Sequence, residues 1–395
     1  MTKIIKSISF LFLLFIPQIT LSQSSISFNE NGLQSALDKA KAENKPVMLW
    51  CYATWCPHCK QMKAEVFTNQ TVADYFNKTF ICVAQDMEKK EGLELNKELK
   101  IKSFPTFVFY SSNGETIYRV EGELKPAAFV AEGKNALTTR KQLPYLKQQF
   151  MKDVSNSINC YTYLRSLKKG GLDVSAVVNQ YFATQSDKQL VSEVNWRIFA
   201  NGVTDFNSRE MQFVINHQKE FAAITSSERV KRKLDYEVTS LLNPLVEVTD
   251  TVNYPIKRKL AVEMHSYSTD SLIFNYDLKI WELTQNWSAY LETCLASSDT
   301  FAWNNSTQLS DIANNFLKHI TNTKALLKAE SWAQRSLTLN KSYDNYLLCS
   351  RLYQKLNNKA EAIKMAKKAM DMATKFGWEG IESEKLLNEL NVINK

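Results

Sequence analysis

The chain has 395 residues, 44% apolar and 23% charged, with a formal net charge of +8. That length accommodates two or three domains at roughly 100–200 residues each, and the composition excludes a disordered chain. The charge excess is too small to be a nucleic-acid signature, and seven cysteines are too few for a disulfide-stapled secreted scaffold.

Lys3 and Lys6 precede an apolar run from Ile8 to Ile16, which Pro17 breaks before the small-residue sites of Thr20-Leu21-Ser22. The run is about half of the roughly 20 residues a spanning helix needs. Residues 1–22 are therefore expected to be a secretory signal peptide. The mature chain is expected to be exported, periplasmic or secreted, with no transmembrane span. Leu33, Ala36, Leu37 and Ala40 then repeat at helical spacing before Pro46. Val47 to Tyr52 is a continuous apolar run of strand length, as a strand buried on both faces requires. Helical patterns follow over Pro57–Val66 and Thr71–Phe76, a second buried-strand run over Phe80–Ala84, and a helix over Leu93–Leu99. Pro105 to Tyr110 reads as a third strand. Asn113-Gly114 forms a hairpin turn into Thr116–Val120, and Pro126 opens a helix at its first position. The alternation predicts a mixed central sheet flanked by helices.

Trp55-Cys56-Pro57-His58-Cys59-Lys60 directly follows the first buried strand and opens a helix. Two thiols three residues apart on one helical turn can close a disulfide with little backbone movement. The free N–H groups and dipole of a helix N-terminus favour a thiolate there, so Cys56 is expected to ionise readily and act as nucleophile. Cys59, one turn inside, is expected to resolve the mixed disulfide. Pro57 suits the first turn because its missing N–H was unpaired anyway, and His58 is placed to donate to, or charge-balance, the Cys56 sulfur.

This motif, with Ser103-Phe104-Pro105-Thr106 some 45 residues later, the hairpin and Gly122, resembles the thioredoxin superfamily over about 115 residues. The resemblance implies a thioredoxin-like α/β domain. It further implies thiol–disulfide oxidoreductase activity on protein thiols or disulfides, an upstream redox partner, and no cofactor or metal. It also implies that Cys56 and Cys59 form the redox-active disulfide, that Trp55, Pro57, His58 and Lys60 tune it, and that Pro105 is cis. Phe104, Pro105 and Thr106 are then expected to hold the substrate backbone. Two positions depart from the family. Trp50 stands where many members carry a buried acid, and Lys63 where exported reductase domains often carry one. The Pro-His dipeptide is that of strongly oxidising members, whereas the short distance to Pro105 is that of reductants or general thioredoxins. The direction of electron flow stays open.

Other readings of the same residues are a metal site built on Cys56, His58 and Cys59, and an inactive fold kept for binding. Three ligands on one turn seldom reach tetrahedral geometry, which disfavours the first. Cys51 and Cys82 read as core thiols, with a disulfide between them open if their strands are neighbours.

Only Pro244 and Pro255 interrupt the chain beyond residue 144, so the remainder is expected to be all-helical. Gly170-Gly171, Gly202, Asn243-Pro244 and Gly377 read as breaks between helices. Ala329, Ala333 and Ser336 recur 33 residues later as Ala362, Ala366 and Ala369, with Tyr346, Cys349 and Tyr353 between them. This resembles tetratricopeptide-type helical repeats, whose period is ~34 residues, near 315–375, with a capping helix over Glu382–Ile393. Such repeats present a groove to a protein partner or simply hold a neighbouring domain. His217, His265 and His319 have no ligand-spaced companions. The tryptophans from Trp196 to Trp378 read as packing residues. Cys160, Cys294 and Cys349 read as packed thiols, and Lys231-Arg232-Lys233 and Lys257-Arg258-Lys259 as solvated faces, with no nucleic-acid role. The expected domains are the signal peptide at 1–22, the thioredoxin-like domain at 23–140, a linker at 141–150 and a helical domain at 151–395. The competing function is a partner-binding protein whose thioredoxin-like fold is a redox-sensitive or inert platform.

Overall fold

The structure is a computed structural model that describes residues 25–392; the expected signal segment lies outside the described residues. Five segments meet in one mixed sheet: β1 (Phe28–Asn29), β2 (Val47–Tyr52), β3 (Ile81–Asp86), β4 (Thr106–Tyr110) and β5 (Thr116–Glu121). Their spatial order is β1-β3-β2-β4-β5. β3 runs parallel to β1 and β2, and β4 runs antiparallel to β2 and β5. The sequence reading expects the last four. β1 has two residues, too few to show any alternation.

β2 lies in the middle of this sheet, which is why its residues are apolar at odd and even positions alike. Val47, Leu49 and Cys51 pack on one face with Ala36 and Ala40 of α1 (Gly32–Glu43). Met48 and Trp50 pack on the other, with Phe67 of the loop before α3 (Gln70–Thr79) and Phe129 of α5 (Pro126–Ala136). Between these helices lie α2 (Pro57–Gln61) and α4 (Glu91–Leu99). Phe129 centres this second face. Its ring stacks on Phe76 at 4.2 Å and 9° and meets Phe107 at 4.7 Å. The same alternation separates Cys51 from Cys82. Cys82 pairs in register with Met48, an odd step along β2 from Cys51, so the two thiols belong to opposite faces. Both are free, and neighbouring strands do not bring them together.

Residues 141–150, expected as a linker, instead lead into α6 (Leu143–Lys152), whose Leu146 and Phe150 are buried. Pro144, inside that expected linker, sits in the first turn, where its fixed φ fits a helix. α6 and the next helix, α7 (Ser157–Lys169), pack against β5. At the end of α7, Lys169 pairs with Glu132 at 2.5 Å and donates to the Tyr118 hydroxyl at 2.9 Å. Gly171 has φ +66°, and a Cβ there would lie 1.7 Å from Glu121 Oε1. This first compact unit continues through α8 (Ser175–Phe182), α9 (Asp187–Leu190) and α10 (Glu193–Gly202) to Val203.

A second unit starts at Thr204. Its helices are α11 (Arg209–Asn216), α12 (Gln218–Ile224), α13 (Ser227–Glu247), α14 (Asn253–Val262), α15 (Tyr267–Leu283), α16 (Trp287–Phe301), α17 (Ser306–His319), α18 (Thr323–Leu339), α19 (Tyr343–Lys355), α20 (Lys359–Phe376) and α21 (Ile381–Val392). Pro244 does not break a helix; α13 carries it and continues to Glu247. From α17 onward each helix packs on the next and α19 also meets α17 and α21. The repeated small residues Ala329, Ala333, Ser336, Ala362, Ala366 and Ala369 are all buried, which lets neighbouring backbones approach. Side-chain caps from Asn305, Asn322, Ser342 and Asn358 start the four helices α17 to α20, each satisfying a first-turn N–H.

Phe129→Ala is expected to cost about 3–5 kcal/mol, the range for emptying a buried aromatic site, read as an earlier urea transition of the full chain. Oxidising the folded chain should leave Cys51 and Cys82 unlinked, checked by alkylation in denaturant and mass spectrometry; a Cys51–Cys82 bridge would contradict the register.

Candidate active site

The site forms where β2 ends. Tyr52 is its last residue, and four residues later Cys56 is the N-cap from which the chain enters α2. Cys56 is extended (φ −66°, ψ 117°), and its Sγ accepts the Cys59 N–H at 3.3 Å. A side-chain acceptor at this position satisfies one of the N–H groups that a helix start leaves unpaired. Pro57 occupies the first helical position. After Gln61 the helix widens into one π-helical turn over Met62–Val66, a feature frequent at functional sites.

Across from α2 is the loop before β4. The Phe104–Pro105 bond is cis, as the resemblance implies. The Cys56 thiol donates to the Phe104 carbonyl at 3.5 Å, so the first cysteine faces this loop. Thr106 is fully buried and its hydroxyl donates to the Ser103 carbonyl at 2.7 Å. The Pro105 carbonyl accepts the Gly122 N–H at 2.8 Å, and Gly122 takes φ +91°, a backbone region that favours glycine. Phe104, Pro105 and Thr106 thus stand together beside Cys56.

Both sulfurs are well covered: Cys56 is 3% exposed and Cys59 2%. Burial is the first cause that pushes the Cys59 thiol up to about 12, and its hydrogen bond with Cys56 adds to the rise. Trp50 belongs to the same buried cluster as Cys59, packed at 4.5 Å on Tyr52 and 4.7 Å from Phe67. The Trp50 indole N–H is buried with no partner among the described residues. Trp55 is the opposite case, 62% exposed, its indole N–H donating to Glu88 at 2.7 Å and its ring 6.2 Å from Phe104. His58 Nδ1 lies 2.7 Å from Glu123 Oε2. Lys60 and Lys63 are exposed.

Glu88 and Glu123 were not legible in the sequence. They lie 33 and 65 residues from the side chains they bind, and only Gly122 beside Glu123 stands out in the sequence. The other singled-out residues stay apart from this site. His217 stacks on Phe213 at 3.9 Å and His319 on Trp287 at 3.7 Å. Cys160, Cys294 and Cys349 are buried thiols. Among the described residues no three His, Cys, Asp or Glu side chains cluster closely enough to hold a metal ion, and no helix is long and apolar enough to cross a membrane.

Comparison with known proteins falls on the same segment. A family model for a thioredoxin-like domain matches residues 33–137. The thiol:disulfide interchange protein DsbD of Vibrio cholerae is 36% identical over 91 residues, 22% of this chain and 15% of that protein. The mouse spermatogenesis-associated protein 20 is 37% identical over 81 residues, 20% of this chain and 9% of that protein. The chain therefore spans less than a fifth of either relative. Among solved structures, a putative disulphide-isomerase from Bacteroides thetaiotaomicron is 36% identical, with a TM-score of 0.28, covering 30% of this chain and 98% of that one. A mixed five-stranded sheet with a cysteine-capped helix facing a cis-proline loop, within a segment that matches the family model, makes residues 33–137 a thioredoxin-like domain.

Proposed function

We propose that the chain is a thiol–disulfide oxidoreductase acting on protein substrates, with Cys56 as the exchanging sulfur and Cys59 as the resolving one. The observation that carries this reading is the position of the Cys56 sulfur, between the Cys59 N–H and the carbonyl that precedes cis Pro105.

In the reductive direction the Cys56 thiolate attacks one sulfur of a substrate disulfide. A Cys56–substrate disulfide forms, and the second substrate sulfur leaves as a thiolate that takes up a proton. Cys59 then loses its proton and attacks the Cys56 sulfur. The Cys56–Cys59 disulfide closes and the first substrate sulfur leaves as a thiol, so two electrons have passed to the substrate. Run backwards, the same steps oxidise a substrate dithiol. In either direction a second thiol–disulfide partner resets the pair. Phe104, Pro105 and Thr106 supply the backbone against which the substrate chain lies. Trp55, exposed beside Phe104, supplies an apolar wall, and Pro57, His58 and Lys60 set the environment of the first helical turn.

The proposed setting is outside the cytoplasm, reached through the apolar leader at residues 1–22, where disulfides persist. The paired helices near 315–375 are proposed to be tetratricopeptide-like and to hold a protein partner. A cleft of this kind lies along α19 and α20, where Tyr343, Tyr346, Phe376 and Trp378 share a wall with Lys341 and Lys368.

Cys56→Ser is expected to abolish insulin reduction and disulfide donation alike, while Cys59→Ala traps Cys56-linked substrates that run as higher bands on non-reducing gels. Full turnover by the Cys56 variant would end this proposal. A glutathione adduct on Cys56 reports the resolving step separately. Burial holds the Cys59 thiol above its ordinary range, so its reactive thiolate fraction rises about tenfold per pH unit through the neutral range. Release of glutathione should accelerate accordingly from pH 6 to 9 in stopped-flow measurements, and a rate that is flat across that range would contradict the buried setting of Cys59.

A further inference from the structure

We propose that Glu123 is a positioning residue for the Cys56–Cys59 couple: it holds the His58 imidazole and offsets positive charge that would otherwise favour the reduced form. This rests on the oxidoreductase reading above and adds a third group to it.

Glu123 is held from both sides. Gly122 before it donates its N–H to Pro105, at 2.8 Å, and Leu124 after it donates to Met62 Sδ at 3.3 Å. The first anchor is the cis-proline loop and the second is the turn that continues the Cys59 helix. Between these two anchors the Glu123 carboxylate meets His58 Nδ1 at 2.7 Å, with side chains 30% and 65% exposed respectively. His58 is two residues from Cys56 in the first turn of α2. Glu123 has no hydrogen bond to either sulfur among the described contacts, so its influence runs through His58.

The sign of that influence does not depend on the protonation of the imidazole. Protonated, the pair is neutral and would be +1 without Glu123. Unprotonated, it is −1 and would be neutral. Either way Glu123 lowers the charge of the pair by one unit, two residues along the first turn from Cys56. Positive charge near a cysteine favours its thiolate, and stabilising the reduced form makes a disulfide more oxidising. His58 thus pushes the couple towards oxidant and Glu123 pulls it back. Charges this exposed act weakly on their neighbours, so the effect on the equilibrium is up to about fivefold.

The test equilibrates the full chain with reduced and oxidised glutathione, in which the Cys56–Cys59 disulfide plus two glutathione thiols gives the dithiol plus one glutathione disulfide. The ratio is read by acid quench, alkylation and mass. E123Q is expected to move the equilibrium about two- to fivefold towards the dithiol, Glu123→Asp to restore most of the wild-type value, and E123Q in an H58Q background, where no imidazole holds the carboxylate near Cys56, to give a clearly smaller shift. An E123Q curve that superimposes on wild type, or an equal shift in the H58Q background, overturns this inference while leaving the oxidoreductase reading intact. A wild-type chain that forms no Cys56–Cys59 disulfide at any glutathione ratio overturns the oxidoreductase reading, and this inference with it.

Discussion

The hydrogen-bonded line from the Cys59 N–H to the Cys56 sulfur and on to the Phe104 carbonyl is the constraint on which the site depends. It joins two parts of the chain that are 48 residues apart. It exists because β2 and β4 are paired antiparallel, so that the end of one strand and the start of the other meet at the same edge of the sheet, with Cys51 opposite Thr106. Central burial of β2 fixes where the strand ends. The N-cap geometry of Cys56 then aims its sulfur. Neither the helix nor the loop would place that sulfur alone.

The buried cluster that holds the two cysteines is rich in aromatic rings. Trp50, Tyr52, Phe28 and Phe67 contact one another with centroid distances of 4.5–5.7 Å. Such a cluster gains by burial and edge-to-face contact, but it offers no proton acceptor. The cost falls on Cys59, whose ionisation is opposed first by desolvation. Cys51, Cys82 and Cys160 show the same burial effect, each raised to about 12. What distinguishes Cys59 from these inert thiols is therefore its neighbour, Cys56, and not an unusual medium.

Much of this was legible in the sequence because it is encoded locally. Apolar runs marked β2, β3 and β4, the Asn113-Gly114 turn marked β5, and the Cys-Pro-His-Cys and Phe-Pro-Thr segments marked the two sides of the site. The misreadings, and what the sequence left open or hidden, have physical causes. Pro144 and Pro244 share a residue type but not a position, one opening a helix and the other carried inside one, and composition alone does not tell a breaker from either. Cys51 and Cys82 lie in adjacent strands, yet strand register decides which face each occupies. Glu88 and Glu123 reach the site through the folded chain, and no spacing rule relates a carboxylate to a ring 33 or 65 residues away.

The end of α7 has a consequence for the sheet as an open structure. β5 has a single strand neighbour, and an unpaired strand edge is a template for joining another chain. Gly170 comes so close to Arg119 that a Cβ on it would lie 3.3 Å from the Arg119 carbonyl oxygen. Glycine-sized backbone thus occupies ground that an incoming strand would need. α6 and α7 therefore shield the outer border of the sheet, and a sheet stripped of these two helices would carry a raw edge into solution.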